Sequence, residues 1–156
     1  MRKLLCIGLL LAGACRSRTI EVPAPAPAPA SAPMASAPGA AMPRQALESF
    51  LSAVRGQDLQ AMSLIWGNKD GPVRDSKVFS REEMEQRELI LIRCLKHDRF
   101  RVLGEAAAAD NERVLQVELT RGTVNKVTDF YIAKGGSRWY VRSANLQPLM
   151  DSCPNR

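Results

Sequence analysis

The 156-residue sequence contains a single histidine, His97, and four cysteines, and these residues lack the spacing of a metal site. It has no glycine-rich phosphate loop either, so no cofactor, nucleotide or metal is expected. Nor is charge of one sign concentrated. The formal net charge is +6, but Arg2, Lys3, Arg16 and Arg18 lie upstream of the region able to fold, and from Arg44 onward 18 basic residues face 15 acidic ones. Such a mixed surface favours solubility and excludes nucleic acid as an expected partner, which would call for a clustered stripe of Lys and Arg. The apolar run from Leu4 to Ala12 is too short to span a bilayer as a helix.

What the N-terminus does have is the anatomy of a secretory signal over residues 1–14: Arg2 and Lys3, then the apolar run, then small residues up to Cys15. The string LLLAGAC, Leu9 to Cys15, resembles a bacterial lipobox, in which a small residue precedes a cysteine that is diacylated and becomes the mature N-terminus. Ala12-Gly13-Ala14 also fits the A-x-A site of ordinary signal peptidase. Cysteine parity bears on the choice. Cys6 leaves with the signal, and with lipid on Cys15 an even pair, Cys94 and Cys153, remains in an oxidising compartment; with Cys15 free, one thiol is left over. The expectation is a lipid anchor at Cys15, with the membrane as partner and several acyl chains giving a stable hold. Arg16 stands where lipoproteins kept on the inner membrane carry Asp, a resemblance that implies the periplasmic face of the outer membrane.

Residues 15–43 form the linker. From Val22 to Pro43 it holds seven of the ten prolines and no charged residue, so it cannot build a core. Alternating Pro and Ala favour an extended polyproline conformation, and about 20 residues at about 3.1 Å each would reach on the order of 60 Å. A passive spacer and a proline motif read by a partner are the two readings of so monotonous a stretch.

Residues 44–156 remain for one domain. Leu47, Phe50, Leu51 and Val54 fall on one helical face after Pro43 and before Gly56. Asp58 can cap a second short helix bearing Leu59, Met62 and Ile65. Ser80 and Glu83 form a capping box for a third, Arg81 to about Lys96, with Glu83 and Arg87 placed as an i, i+4 pair. Its apolar second half, LILIRCL, is expected to lie against a sheet. The period then changes to 2: Phe100 and Val102 alternate with arginines, and Leu115, Val117 and Leu119 alternate with polar residues. Runs at 124–133 and 138–143 meet across Gly135-Gly136, good hairpin chemistry. The predicted fold class is α+β: three N-terminal helices packed on one face of a curved antiparallel sheet of about four strands.

The segment FLSAVRGQDLQAMSLIW, Phe50 to Trp66, resembles the helical opening of the nuclear transport factor two-like superfamily of cystatin-like α+β cones. That superfamily includes ketosteroid isomerase, polyketide cyclases and many bacterial lipoproteins of unknown role. The resemblance covers most of Arg44 to Leu149 in order and implies a cone whose open end often forms a pocket, with sheet faces that often pair into dimers. It transfers no catalytic residue, because the fold hosts catalysts, binders and scaffolds alike.

Among the residues themselves, His97 followed by Asp98 is the one candidate acid/base neighbourhood. Its plainer reading is a partly exposed histidine at the C-terminal end of the third helix, favourable to the dipole. Trp66, Asn68, Asp70, Arg74 and Asp75 make a candidate recognition loop. The plainer reading puts Trp66 in the core, the Asn and Asp side chains in turns and caps, and Arg74 in a pair with an acid of the third helix. Glu82 to Glu88 is read as a solvated helix face rather than a metal site. Arg99, Arg101, Arg138 and Arg142 share one alternation class and could form an outer basic strip suited to phosphorylated headgroups or an acidic wall, or serve as edge charges against aggregation. Cys94 and Cys153 are a candidate disulfide; the alternative is a buried free Cys94. Three functions stay open: a non-catalytic module binding an envelope protein, a wall component or a small apolar ligand; an isomerase or cyclase with a pocket carboxylate or His97; and an accessory subunit of an envelope complex.

Overall fold

The computed structural model describes residues 37–153. The signal, Cys15 and most of the Pro/Ala-rich stretch lie outside the described residues. The order of elements is α1 (Pro43–Gly56), α2 (Leu59–Ile65), β1 (Gly67–Asn68), β2 (Gly71–Pro72), α3 (Arg81–Cys94), β3 (Arg99–Ala107), β4 (Arg113–Arg121), β5 (Val124–Gly135) and β6 (Arg138–Ala144), with short 3-10 turns at Val73–Asp75, Ala109–Asn111 and Gln147–Ser152. The fold is α+β. β3 to β6 form a four-stranded antiparallel meander in chain order, and β1 and β2 form a separate small hairpin that the sequence pattern had not suggested.

α1 forms because Pro43 supplies a helical φ at its first position and Ala46, Leu47, Phe50, Leu51 and Val54 fall on one face, all of them buried. Full burial of a Leu or Phe contributes roughly 1.5–3 kcal/mol, so this single stripe anchors the domain. It lies against β5 and β6. There Phe50 meets Phe130 edge to face, with ring centroids 6.4 Å apart, above Leu115, Val117, Ile132 and Val141. The helix ends at the expected glycine, Gly56. Gln57 adopts the left-handed conformation at φ +54°, and the N–H of Asp58 reaches back to the Ala53 carbonyl at 2.9 Å. Asp58 then caps α2, its carboxylate accepting from the Ala61 N–H at 2.9 Å.

α3 starts at its capping box: Ser80 Oγ accepts from the Glu83 N–H, and the Glu83 carboxylate accepts from the Ser80 N–H at 2.8 Å. Those bonds hold the Glu83 carboxyl below its ordinary pKa. The expected Glu83–Arg87 pair is not made. Glu83 is used in the cap, Arg87 lies over the Phe79 ring, and the helix's ion pair is Arg81–Glu85 at 3.0 Å. The apolar half of α3 also departs from expectation. Four consecutive apolar residues encircle a helix rather than line one side, so only part of the run can be covered. α3 packs on α2, on α1 and on the Gln147–Ser152 turn, burying Ile92 and Leu95, while Leu89 and Ile90 stay 42 and 49 % exposed.

The sheet carries a bulge in β3 between Val102 and Gly104 and another in β6, where Tyr131 and Ile132 face Ser143 and Val141 and Arg142 is the extra residue, features that bend strands. The end of the Pro/Ala-rich stretch is tied to it. Ala40 and Trp139 exchange two backbone hydrogen bonds, and the Arg138 guanidinium donates to the carbonyls of Pro38 and Gly39. Gly39 is required there, since at φ +72° a Cβ would sit 2.7 Å from the Tyr140 ring. The basic strip does not form. Arg138 holds this segment, Arg101 pairs with Glu118 at 3.2 Å, and Arg142 pairs with Glu112 at 2.7 Å while lying over Tyr131. Cys94 and Cys153, with Cα atoms 4.4 Å apart, are joined by a disulfide that ties α3 to the C-terminal turn. Among the described residues no helix is long and apolar enough to cross a membrane.

Candidate functional site

The helical stripe that turns α3 inward reads Met84, Glu88, Leu91 and Leu95, at spacings of four, three and four. One position of that stripe is therefore a carboxylic acid. Glu88 is 1 % exposed, and its Oε1 is sealed from solvent without a hydrogen-bond partner. Burial pushes the carboxyl up to about 7, with the nearby Glu85 charge adding to the effect. An orphaned buried carboxyl oxygen is costly to stability, and such groups in native proteins tend to mark a site.

Glu88 lines a cleft of about 300 Å³ between α2 and α3, closed on a third side by the segment after β2. Leu59, Phe79 and Met84 supply apolar wall, and Gln60, Ser63, Arg74, Arg81 and Glu85 supply polar groups. Most of these are already engaged. Ser63 Oγ donates to the Gln60 carbonyl at 2.8 Å, Arg81 pairs with Glu85, and Arg74 Nε donates to Asp75 at 3.3 Å. Phe79 is held by stacking on Trp66, with centroids 6.5 Å apart, and by the Arg87 guanidinium 4.3 Å from its centroid.

Of the five recognition-loop residues, only Arg74 reaches this cleft, and it pairs with its neighbour Asp75 rather than with an acid of α3. Trp66 is half-buried, its indole N–H donating to the Arg142 carbonyl at 3.3 Å, and it supports the cleft indirectly through Phe79. Asn68 closes the β1–β2 turn by accepting from the Asp70 N–H at 2.8 Å. Glu88 itself was hidden in the charged string EEMEQRE. The signal able to reveal it is its register with Met84, Leu91 and Leu95, which places one of the string's glutamates on the buried side.

His97 is not the exposed helix-end residue that its sequence position suggested. It is 3 % exposed, its ring edge-on to Phe100 at 5.7 Å. Nδ1 faces the Leu95 carbonyl at 2.8 Å, which can only accept, so Nδ1 carries the hydrogen and Nε2 is left buried without a donor. Burial lowers its pKa, opposed in part by the Leu95 hydrogen bond and by Asp98, and aided by Arg55. The Asp98 carboxylate turns the other way and accepts from the Gly122 N–H at 2.7 Å, so the neighbours in sequence form no acid/base pair. A second hollow of about 330 Å³ lies between Cys94, Lys96, Leu119 and Leu149, with Lys126 tied to Asp151 at its rim, and holds no orphaned buried group. Among the described residues no cluster of His, Cys, Asp and Glu could hold a metal ion.

The domain is thus of the α+β class with a cleft between two helices that the buried Glu88 helps to line. No protein-family model matches the sequence, and no curated protein does. The solved structure of an LEH-like epoxide hydrolase of M. tuberculosis is similar over 70 % of this chain and 82 % of its own, at 15 % identity and a TM-score of 0.37.

Proposed function

We propose that this chain is an exported lipoprotein, held at the outer membrane through acylated Cys15, whose domain binds a small ligand in the α2–α3 cleft without transforming it. The single observation carrying the binding reading is the orphaned carboxyl oxygen of Glu88, a residue lining a cleft of mixed polar and apolar wall. The anchoring part rests on the signal, the lipobox-like LLLAGAC and the extended spacer, which together describe a tethered domain.

The domain is read as a cone of the nuclear transport factor two-like kind. The irregularities in β3 and β6, and the bridge that sets Trp66 parallel to Val141 beside the meander, support that reading. Phe50 and Phe130 fill the space beneath α1, with Trp66 and Trp139 packed against the same core. An isomerase-like chamber between helices and sheet is correspondingly disfavoured. A second reading, a proton-transfer enzyme using Glu88, is favoured by a carboxyl titrating near neutrality. It lacks a second catalytic group, since Ser63, Arg81 and Glu85 are each spent on a partner of their own.

Native mass spectrometry of the full chain purified from a diderm envelope tests the proposal. Acyl mass on the peptide beginning at Cys15, and a stoichiometric small molecule lost on activation, are expected. An unacylated mature chain, including one beginning at Cys15 as cleavage after Ala14 would leave it, would overturn the anchor, and a bare domain at every stage of purification would move the function to its outer surface.

A further inference from the structure

Resting on the cleft as the binding site, we infer that its ligand is a small organic cation, a primary ammonium on a short apolar body, whose charge meets Glu88 while its carbons lie against Leu59, Phe79 and Met84. Two guanidiniums line the cleft, but neither pairs with that carboxylate. From α3, Arg81 is committed to Glu85 and stands 80 % exposed, and Glu85 is of the same sign as Glu88. From the segment after β2, Arg74 is committed to Asp75. α2 contributes only Leu59, Gln60 and Ser63. Arg87, one residue away on α3, is turned onto Phe79.

A hydroxyl could satisfy the orphaned oxygen as a hydrogen-bond donor, but it would leave the buried charge uncompensated; an ammonium does both. The size of the cleft, about 300 Å³, is at the small end of ligand sites and suits a body of a few carbons. The outer face of Phe79 is already taken by Arg87, so the ligand is expected to meet this ring at its edge and to gain little from cation–π attraction.

The linkage follows from the carboxyl titrating at about 7. An alkylammonium stays protonated well past pH 8, so only Glu88 changes state across the neutral range. If the cation binds the ionised carboxyl alone, affinity falls about thirtyfold between pH 8 and pH 5.5, the ratio of the ionised fractions.

The test is a titration of the full chain in detergent with n-butylammonium chloride, n-butanol and sodium butyrate as matched cationic, neutral and anionic probes, followed by amide chemical shifts. Butylammonium is expected to move resonances of residues 59–63 and 74–88, with the thirtyfold loss at pH 5.5, and Glu88→Gln is expected to abolish this while leaving the remaining spectrum in place. Equal binding of butanol, or cation binding that is indifferent to pH and to Glu88→Gln, overturns the ammonium assignment but leaves the cleft as a binding site. No shift in the cleft with any of the three probes overturns the assignment together with the reading on which it rests.

Discussion

Replacing Glu88 by glutamine should change how stability depends on pH, and by a calculable amount. The carboxyl titrates at about 7 in the folded chain against an ordinary value of 4.5. Folded-state pKa is raised, so between these values the folded protein holds a proton that the unfolded chain has released, and stability falls as pH rises. Integrating over that window gives a loss of about 1 kcal/mol by pH 5 and about 3 kcal/mol by pH 8, a difference of about 2 kcal/mol. Glu88→Gln has nothing to titrate at this position. The buried amide brings its own offset, but that offset does not vary with pH, and every other ionisable group is common to both proteins. Urea unfolding of both at pH 5, 6, 7 and 8 should therefore show the variant gaining on wild type by about 2 kcal/mol across the series, most of it before pH 7. A gap that stays constant to within about 0.5 kcal/mol would refute the reasoning, because it would mean that Glu88 is solvated or paired in solution and not stranded in the α2–α3 packing.

Three other outcomes follow from single features. His97→Gln should remove a loss of stability that wild type suffers as pH falls below 6.5, since the unfolded histidine takes up a proton there that the buried ring refuses; thermal melts from pH 7 to pH 5 measure it. Gln57→Gly should raise stability by about 1 kcal/mol in denaturant titration, because a β-carbon is strained at φ +54° and glycine is not. Replacing both Cys94 and Cys153 by serine should cost about 4 kcal/mol in the chain-entropy model for a separation of 59 residues, read as a lowered urea midpoint matched by reduced wild type.

The parts of this fold that were legible in the sequence are those whose period is clean. α1 shows its buried face at 47, 50, 51 and 54, and β4 shows its own at 115, 117 and 119, because in each case the neighbours off that face are polar. α2 was legible from its cap, Asp58. α3 was legible in extent, through Ser80 and Glu83, but not in orientation. Its C-terminal half is apolar on too many sides and its N-terminal half is charged on all of them, so neither half declares which residues face inward. That is also why the site escaped: a glutamate among glutamates is ordinarily solvated, and what singles out Glu88 is the packing of α2 against α3, a contact that periodicity does not encode. The tie between Ala40 and Trp139 was hidden for a similar reason, since backbone hydrogen bonds across nearly a hundred residues leave no mark on composition.

The two buried groups on or just beyond α3 have opposite effects on stability, and their opposition makes a test finer than either alone. As pH rises above 4.5, Glu88 makes the folded state progressively less favourable, while His97 makes it more favourable from its own lowered pKa up to about 6.5, where the unfolded imidazole becomes neutral. In wild type the two slopes oppose each other over this interval, so its stability should vary less with pH than either single variant does. Glu88→Gln should expose the histidine's slope, rising with pH, and His97→Gln should expose the carboxyl's, falling with pH. Glu88 touches α2 and the segment after β2, and His97 touches Phe100 on β3. With no partner in common, the effects should add within about 0.5 kcal/mol in the double variant, which should keep neither group's slope. A wild type that slopes like one of the single variants would show that the group removed in that variant titrates normally, and the sign of the slope would say which.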